Sequence, residues 1–215
     1  ASIGHSQGGH AVLGAAQYAS RAQLNYKGTV AIAPASNLAS ILTIGEQQAS
    51  TLPINYQIQM LAQLDTYTAL IVAGMQGHNK SVTYNEVFKN DTVILAPIAE
   101  AECSSTVGVQ LGTAMSIYAA GIGQGTLTGY GRLQSGFMSI PVIDTFLKKD
   151  SQPGLAPLNK KVFIYQGEAD TTVPKAATDL LIASMKANGT SASNIQYTTS
   201  AAWDHGTVYT QNYTS

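Results

Sequence analysis

The sequence predicts an α/β fold, a parallel sheet flanked by helices, with a long helical segment inserted into it. Short apolar runs alternate with helical stretches near both ends of the 215-residue chain, whereas its middle contains helical stretches only. Alternation in short units is typical of a parallel sheet, because each connecting helix packs against the sheet that it crosses. Hydrophobic residues make up 45% of the chain, which is enough for one sizeable core and excludes wholesale disorder.

The N-terminal block is predicted as strand, helix, strand. Residues 1–3 can end a strand, and helical spacing begins after Gly8 and Gly9. The predicted apolar face of this helix consists of Ala11, Val12, Ala15, Ala16 and Ala19. Residues 28–34 form a short apolar run closed by a proline, which is typical of a strand buried on both faces.

The C-terminal block repeats this alternation. Residues 162–167 are a second buried strand, and Pro174 opens a helix that Asn188 and Gly189 end. The predicted apolar side of that helix consists of Ala177, Leu180, Leu181, Ser184 and Met185. Residues 195–198 alternate in polarity and are predicted as a final strand near the edge of the sheet.

The middle of the chain is predicted to be an insertion. It contains helical stretches at about 55–64, 67–75 and 106–120, followed by six glycines between residues 121 and 136 that indicate a loop or hinge. The prediction is therefore a core made of residues 1–37 and 140–215, with a helical cap or lid made of residues 38–139.

Composition limits the partners. Only 11% of residues are charged and the formal net charge is −1, so a basic surface for nucleic acid is not expected. No apolar run approaches the roughly 18 residues of a membrane span. Cys103 is the single cysteine, and it is either a small buried hydrophobe or the partner of a cysteine outside this chain. Four Asn-x-Ser/Thr sequons, at Asn79, Asn90, Asn188 and Asn212, hint at a secreted protein.

The strongest chemical signal is the pentapeptide Gly4-His5-Ser6-Gln7-Gly8, which has the pattern Gly-x-Ser-x-Gly. A strand that turns abruptly into a helix holds its central serine in a strained conformation and exposes the Oγ at the carboxyl end of the sheet. The following helix directs its N-terminus at the reacting carbonyl, so the backbone N–H of Gln7 is a candidate oxyanion donor. Ser6 is the candidate nucleophile.

A serine nucleophile needs a base and an acid that orients it, and in this class of sheet they follow the serine in the order acid, then histidine. Asp170 lies three residues after the strand at 162–167, and His205 follows the last strand. Glu168 and Asp204 are the rival acids, of which Glu168 is the better. The other histidines are less suitable bases, because His5 and His10 flank the serine locally and His78 lies in the helical insertion.

These residues resemble a known family, the secretory lipases of the lipase A type in the α/β-hydrolase superfamily. The similarity covers residues 4–11, the strand ending at residues 30–34, residues 165–174, and the return from the insertion at 141–154. The resemblance implies an α/β-hydrolase core with a helical cap over Ser6, Asp170 and His205. It also implies an ester hydrolase that acts on acyl esters or triglycerides, possible contact with a lipid surface, and neither a metal nor another cofactor.

One departure from the family concerns the start of the chain. In such enzymes several strands and the second oxyanion donor precede the nucleophile, whereas here only three residues precede the pentapeptide. The resemblance therefore implies a C-terminal half that starts at the nucleophile turn, with the N-terminal half of the same protein as its missing partner.

Two alternatives to an ester hydrolase remain open. A serine peptidase or an acyltransferase would use the same residues, because all three reactions pass through an acyl-enzyme. A non-catalytic homologue, or a fragment of one, would keep the fold and act as a binding module. Labelling of Ser6 by a fluorophosphonate separates the catalytic readings from the last one, since it requires an activated serine.

Overall fold

The computed structural model describes residues 1–213 of the chain. Four strands and nine α-helices occur in these residues, with short 3₁₀ and π-helical turns between some of them. The strands are β1 (Ser2–His5), β2 (Gly28–Ile32), β3 (Lys161–Gly167) and β4 (Ile195–Ser200). The helices are α1 (Gln7–Tyr18), α2 (Leu38–Ala49), α3 (Ile54–His78), α4 (Tyr84–Val87), α5 (Asn90–Leu95), α6 (Ser104–Ala120), α7 (Pro141–Thr145), α8 (Lys175–Ala187) and α9 (His205–Asn212).

The described residues divide into two units, one of residues 1–41 and 147–213 and the other of residues 42–146. The first unit contains all four strands, and the second contains most of the helices that separate β2 from β3. The division into a core and a cap at residues 37/38 and 139/140 stays a prediction about domains.

The sheet of the first unit is parallel throughout, as the alternation of strands and helices predicts. Its strand order is β1-β2-β3-β4, and every neighbouring pair is parallel. The strand at β4 lies at one end of this order, as predicted for an edge strand, and β1 lies at the other end of the described sheet. Consequently the carboxyl ends of all four strands meet at one edge of the sheet.

Both faces of the central strands are covered. On one face, Ala31 of β2 and Ile164 of β3 pack with Leu13 of α1 and Leu181 of α8. On the other face, Ile32 packs with Val208 of α9. The absence of polar side chains from most of β2 follows from this two-sided burial.

The predicted apolar faces of two helices are confirmed in part. Val12 and Ala16 of α1 pack against the core, as do Leu181 and Met185 of α8. In α1 the buried residues are Gly9 and Leu13, whereas Ala11 and Ala15 are exposed. In α8 the buried side includes Thr178 and Ile182, whereas Leu180 is 52% exposed. Alanine is apolar on any face and so defines a helix face poorly, and Thr178 is buried because its hydroxyl donates to Gln166.

In the second unit, the two helical stretches predicted at 55–64 and 67–75 form the single helix α3. No helix-breaking residue separates them. Asp65 and Thr66 lie at the junction, and the Thr66 hydroxyl donates to the carbonyl of Ala62 one turn earlier. The Asp65 carboxylate can be buried because it is paired with a residue of another segment.

That partner is Arg132, which follows the glycine-rich segment. The Arg132 guanidinium donates to both carboxylate oxygens of Asp65, at 2.8 and 2.7 Å, and to both oxygens of Glu46 in α2, at 3.1 and 2.5 Å. Burial alone would lower the pKa of Arg132, but its bonds to the two carboxylates raise it above its ordinary value. Arg132 therefore stays charged and holds the segment to α2 and α3.

The predicted loop at residues 121–136 is confirmed, and it is tied down at several points. The side-chain amide of Asn90 donates to the carbonyls of Tyr130 and Gly131, and the Tyr118 hydroxyl donates to that of Thr128. The buried environment considered for Cys103 is wrong, because this residue is exposed directly before α6. Within residues 1–213, no helix combines the length and apolar character needed to cross a bilayer.

Candidate active site

The turn that carries Ser6 joins β1 to α1 at the carboxyl edge of the sheet. Ser6 has φ 57° and ψ −118°, a strained conformation for a residue other than glycine. Its N–H donates to the carbonyl of Ile32 at 2.8 Å, and its carbonyl accepts from His10 at 3.1 Å and from Ala35 at 3.2 Å. Bonds to β2 and to the segment after it therefore hold the strained turn in place.

Of the two glycines in the pentapeptide, the structure requires only one, whereas the pattern predicts that both leave room for the strand and the helix. A Cβ on Gly4 would lie 2.1 Å from the carbonyl oxygen of Gly8, so only glycine fits at position 4. A Cβ on Gly8 would meet nothing within 4 Å. Gly4 leaves room for the backbone of α1, as predicted, whereas the space around Gly8 does not require a glycine.

Gln7 is the first residue of α1. The N–H groups of the first turn of a helix have no acceptor within the helix, and the helix dipole gives this end a partial positive charge. The Gln7 N–H is therefore suited to receive negative charge that develops on an oxygen next to Ser6.

Asp170 lies on the loop after β3 and is 4% exposed. Its Oδ1 accepts from the backbone N–H groups of Thr172, at 2.9 Å, and Val173, at 2.8 Å. Its Oδ2 accepts from the side chain of Gln166, at 3.3 Å, and from His205. These bonds fix the orientation of the carboxylate.

His205 is the first residue of α9, and its Nδ1–H donates to Asp170 Oδ2 at 2.7 Å. The side chain of His205 is 22% exposed. The residues before His205 lie against the end of β3, where the Ala169 N–H donates to the carbonyl of Trp203 at 3.1 Å. A Cβ on Gly167 would come within 2.3 Å of that same carbonyl oxygen, so this close approach requires glycine.

The two rival acids have other partners. Asp204 caps α9 and accepts from the N–H groups of Gly206 and Thr207, at 3.0 and 2.7 Å. The backbone hydrogen bond from Thr207 is the main cause that lowers the pKa of Asp204. Glu168 accepts from the Thr199 hydroxyl at 2.7 Å. The structure thus brings Asp170 into contact with His205, and the catalytic roles of these residues stay predictions.

The remaining histidines lie as follows. His10 faces the segment after β2, where its Nδ1–H donates to the carbonyl of Ala35 at 2.6 Å. Burial lowers the pKa of His10 below its ordinary value. His78 ends α3 in the second unit and is exposed. His5 contacts His205, and the sequence reasoning missed this contact.

Two residues support this site although the sequence did not predict that role for them. His5 donates through Nε2 to the main-chain carbonyl of His205 at 2.8 Å. Gln166 is fully buried in β3 and bonds to Asp170, to the carbonyl of Val173 and to Thr178. A glutamine inside an otherwise apolar strand was a usable signal, because a buried amide needs partners. For His5 the only signal was its position beside Ser6.

The part of the chain that the structure describes contains no group of three or more His, Cys, Asp and Glu side chains arranged to hold a metal ion. Ser6, His205 and Asp170 themselves offer a hydroxyl, an imidazole and a carboxylate. Ser6 is next to His5 in sequence, His5 bonds to His205, and His205 bonds to Asp170, so the three predicted residues lie in one region of the first unit.

No protein-family model matches the chain, and no curated protein matches its sequence. Solved structures do match. The ligand-bound rice cell wall degrading esterase LipA from Xanthomonas oryzae is 15% identical with a TM-score of 0.63, and the match covers 95% of this chain and 51% of that one. A protein from Legionella pneumophila is 12% identical with a TM-score of 0.64, over 97% of this chain and 53% of the other. Candida antarctica lipase A is 13% identical with a TM-score of 0.54, over 94% and 43%.

These likenesses establish the fold. The chain has an α/β-hydrolase core with a helical insertion between β2 and β3, as the sequence predicts. It spans about half the length of the solved structures that it matches.

Proposed function

We propose that the protein is a serine hydrolase that cleaves carboxylic esters through an acyl-enzyme. The observation that carries the proposal is the 2.7 Å hydrogen bond from His205 to the buried carboxylate of Asp170, at the same sheet edge as the strained Ser6 turn. A hydroxyl is a weak nucleophile, and an imidazole whose tautomer is fixed by a carboxylate is a group that activates it.

In the proposed reaction, Ser6 Oγ attacks the ester carbonyl while the Nε2 of His205 takes its proton. Asp170 keeps the proton of His205 on Nδ1, which leaves Nε2 as the basic atom, and stabilises the imidazolium that forms. The Gln7 N–H donates to the oxyanion. The imidazolium then gives its proton to the leaving alcohol, and water hydrolyses the acyl-enzyme by the same steps in reverse order.

The proposed substrates are acyl esters, including triglycerides, and the proposed family is the secretory lipase A type. Residues 4–11 and 165–174 support this narrower assignment through their similarity to that family. Two of the matched structures are named as an esterase and a lipase, which is consistent with this narrower assignment. Contact with a lipid surface is part of the same proposal.

The experiment is fluorophosphonate labelling of the chain, followed by hydrolysis of a panel of chromogenic esters and a panel of peptides. We expect labelling and ester cleavage in the wild type and neither in Ser6→Ala, since loss of a triad nucleophile costs on the order of 10⁶ in turnover. A Ser6→Ala variant that keeps more than about a tenth of the activity contradicts the assignment. Peptide cleavage or acyl transfer in preference to hydrolysis would identify one of the other acyl-enzyme reactions. Absence of labelling in a protein that also contains the segment proposed below to pair with β1 would favour a binding module.

We further propose that full activity needs a segment that pairs with the outer edge of β1 and supplies a second oxyanion donor. The exposed side chain of Ile3 on that strand supports this, since an apolar edge strand is suited to pairing. Loss of one oxyanion donor costs roughly 10²–10³ in rate. Purified residues 1–215 should therefore hydrolyse a short-chain ester slowly, and Ser6-dependent turnover of more than about 1 s⁻¹ from a stable monomer would contradict this proposal.

Secretion is also proposed, on the basis of the four sequons. Asn212 is buried, and the amide nitrogens of Asn90 and Asn188 donate hydrogen bonds within the fold. The hydrogen bonds of Asn79 are made through its Oδ1 instead, which makes it the most suitable sequon for a glycan. Expression through a eukaryotic secretory pathway should add a glycan that Asn79→Gln removes and Asn212→Gln does not, and a secreted wild type without a glycan would count against this site.

A further inference from the structure

His5 is bonded to the main chain of the candidate base. Its Nε2 lies 2.8 Å from the carbonyl oxygen of His205. A carbonyl oxygen only accepts hydrogen bonds, so the proton of His5 is on Nε2. This bond joins the residue directly before the candidate nucleophile to the backbone of the residue that would take its proton.

The ring of His5 also packs against two residues of α9. Its centroid lies 4.6 Å from that of His205 and 5.1 Å from that of Tyr209, with which it is stacked at 27°. Tyr209 is stacked in turn on Tyr213 at 5.0 Å. Four neighbouring aromatic rings thus connect the candidate base with an exposed tyrosine. His205 and Tyr209 belong to α9, Tyr213 follows it directly, and His5 is the last residue of β1.

These contacts complete the support of His205. The bond from Nδ1 to Asp170 fixes one atom of the imidazole, but a single bond leaves the ring able to tilt about it. The His5 bond fixes the backbone of His205, and the ring contact limits the tilt. The N–H of the adjacent Ser6 donates to the carbonyl of Ile32 in β2. The turn that holds the candidate nucleophile, and that contacts the candidate base through His5, is therefore attached to this strand.

The neutral form of the His5 ring is suited to this position. Burial lowers the pKa of His5, the neighbouring His205 lowers it further, and the bond to the His205 carbonyl and the charge of Asp170 partly oppose this shift. The ring is therefore neutral at pH 7. A neutral ring adds no positive charge beside an imidazole that itself becomes cationic during the reaction.

We infer that His5 is a positioning residue, whose hydrogen bond and ring contact hold His205 in the orientation needed to take the proton of Ser6. This inference rests on the proposed function. It assigns His5 a role besides that of a turn residue, and it predicts a loss in the chemical step rather than in the binding of substrate.

Three variants separate the bond from the ring contact. His5→Gln keeps a donor near the position of Nε2, His5→Phe keeps a ring without a donor, and His5→Leu keeps neither. The probe is an alkyl fluorophosphonate: the Ser6 Oγ–P bond forms, the P–F bond breaks, fluoride leaves and His205 takes the hydroxyl proton. The measured quantities are the inactivation rate constant kinact and the inhibitor constant KI, with unfolding in urea as a check of the fold.

We expect kinact to fall about tenfold in His5→Phe, which is the effect of one lost hydrogen bond, and further in His5→Leu, with KI unchanged. His5→Gln should stay within about threefold of the wild type. The matched control is His78→Leu, which replaces an exposed histidine of the second unit and should leave kinact unchanged. Equal values of kinact in the wild type and all three His5 variants would overturn the inference.

A second readout does not require activity. The His205 Nδ1 proton that Asp170 accepts gives a low-field ¹H NMR signal, which Asp170→Asn removes and so assigns. We expect this signal to broaden or vanish in His5→Leu and to return in His5→Gln. If the wild type does not react with the fluorophosphonate, the proposed function fails, and this signal still decides the role of His5. An unchanged signal in His5→Leu would then overturn it.

Discussion

Two aspartates lie near His205 and have different structural roles. Asp170 orients the imidazole, whereas Asp204 caps α9. Asp170→Asn should lower Ser6-dependent turnover by on the order of 10⁴, because an amide at this position favours the wrong tautomer of His205. Asp204→Asn should lower it less than about tenfold, because asparagine is an equally good N-cap. Initial rates of ester hydrolysis measure both, and the reverse order of the two losses would show that Asp204 is the orienting acid.

His10 makes the stability of the fold depend on pH. Its pKa is lowered by burial, so at acidic pH the unfolded chain takes up a proton before the folded chain does. The free energy of unfolding should therefore be unaffected by His10 well above its ordinary pKa of 6.5 and should fall as the pH drops below that value. Urea unfolding at several pH values between about 5.5 and 7.5 measures this slope.

The variant His10→Asn isolates this contribution, because the amide nitrogen of asparagine can replace Nδ1 as the donor to Ala35 without titrating. Its slope should be smaller than that of the wild type. Some slope should remain, since the pKa of His5 is lowered in the same direction. A slope identical to that of the wild type would mean that His10 is not the titrating group.

At the scale of the elements, the contact between the end of β3 and the segment before α9 determines where His205 lies. A Cβ at position 167 would overlap the Trp203 carbonyl, so Gly167→Ala must push that segment away. A displacement of about 1 Å can cost on the order of 10² in rate, and we expect a loss of this size in Ser6 labelling.

The matched control for this substitution is Gly14→Ala in α1, where an added Cβ would meet nothing within 4 Å. Alanine is favoured over glycine inside a helix by roughly 0.5–1 kcal/mol, so the control should be as active as the wild type and slightly more stable. Labelling of Gly167→Ala at the wild-type rate would mean that the segment before α9 can shift to accommodate the added Cβ without displacing His205.

The strands were more predictable than the helix faces. Short apolar runs at β2 and β3 are buried on both faces, so their composition alone identifies them. The face of α1 was predicted only in part from a run of alanines, because alanine fits exposed and buried positions equally well. Leu13 was the one large apolar side chain that defined it.

Contacts between residues that are distant in the sequence were harder to predict. Asp170 and His205 could be predicted as a pair from their positions after two strands, because parallel strands bring their ends to one edge. The pairing of Asp65 with Arg132 spans 67 residues and follows no local pattern. The bond from His5 to His205 depends on the packing of α9 against the sheet, which the sequence did not specify.

For the whole molecule, the outer edge of β1 is the main exposed feature of the described sheet. Ile3 on that strand is 53% exposed. Residues 1–215 alone should therefore self-associate through this edge, and Ile3→Lys should increase the monomer fraction, because an edge lysine opposes strand pairing. Sedimentation velocity over a range of protein concentrations measures the monomer fraction.

Leu24→Lys is the matched control, since Leu24 is 63% exposed but lies outside any strand. It should not change the monomer fraction. A wild type that is monomeric at all concentrations would contradict this expectation, and an equal effect of the two lysines would attribute it to net charge rather than to the edge.

The buried pair of Arg132 and Asp65 has a consequence for how sequences of this fold diverge. Removing one member of such a pair leaves an uncompensated buried charge and costs roughly 3–5 kcal/mol, whereas replacing both members by apolar side chains is often neutral. Single changes at these two positions should thus be eliminated by selection. Among homologues, residues 65 and 132 should covary, with an acid and an arginine in some lineages and two apolar residues in others. Residue 46 should vary more freely, because the side chain of Glu46 is 38% exposed.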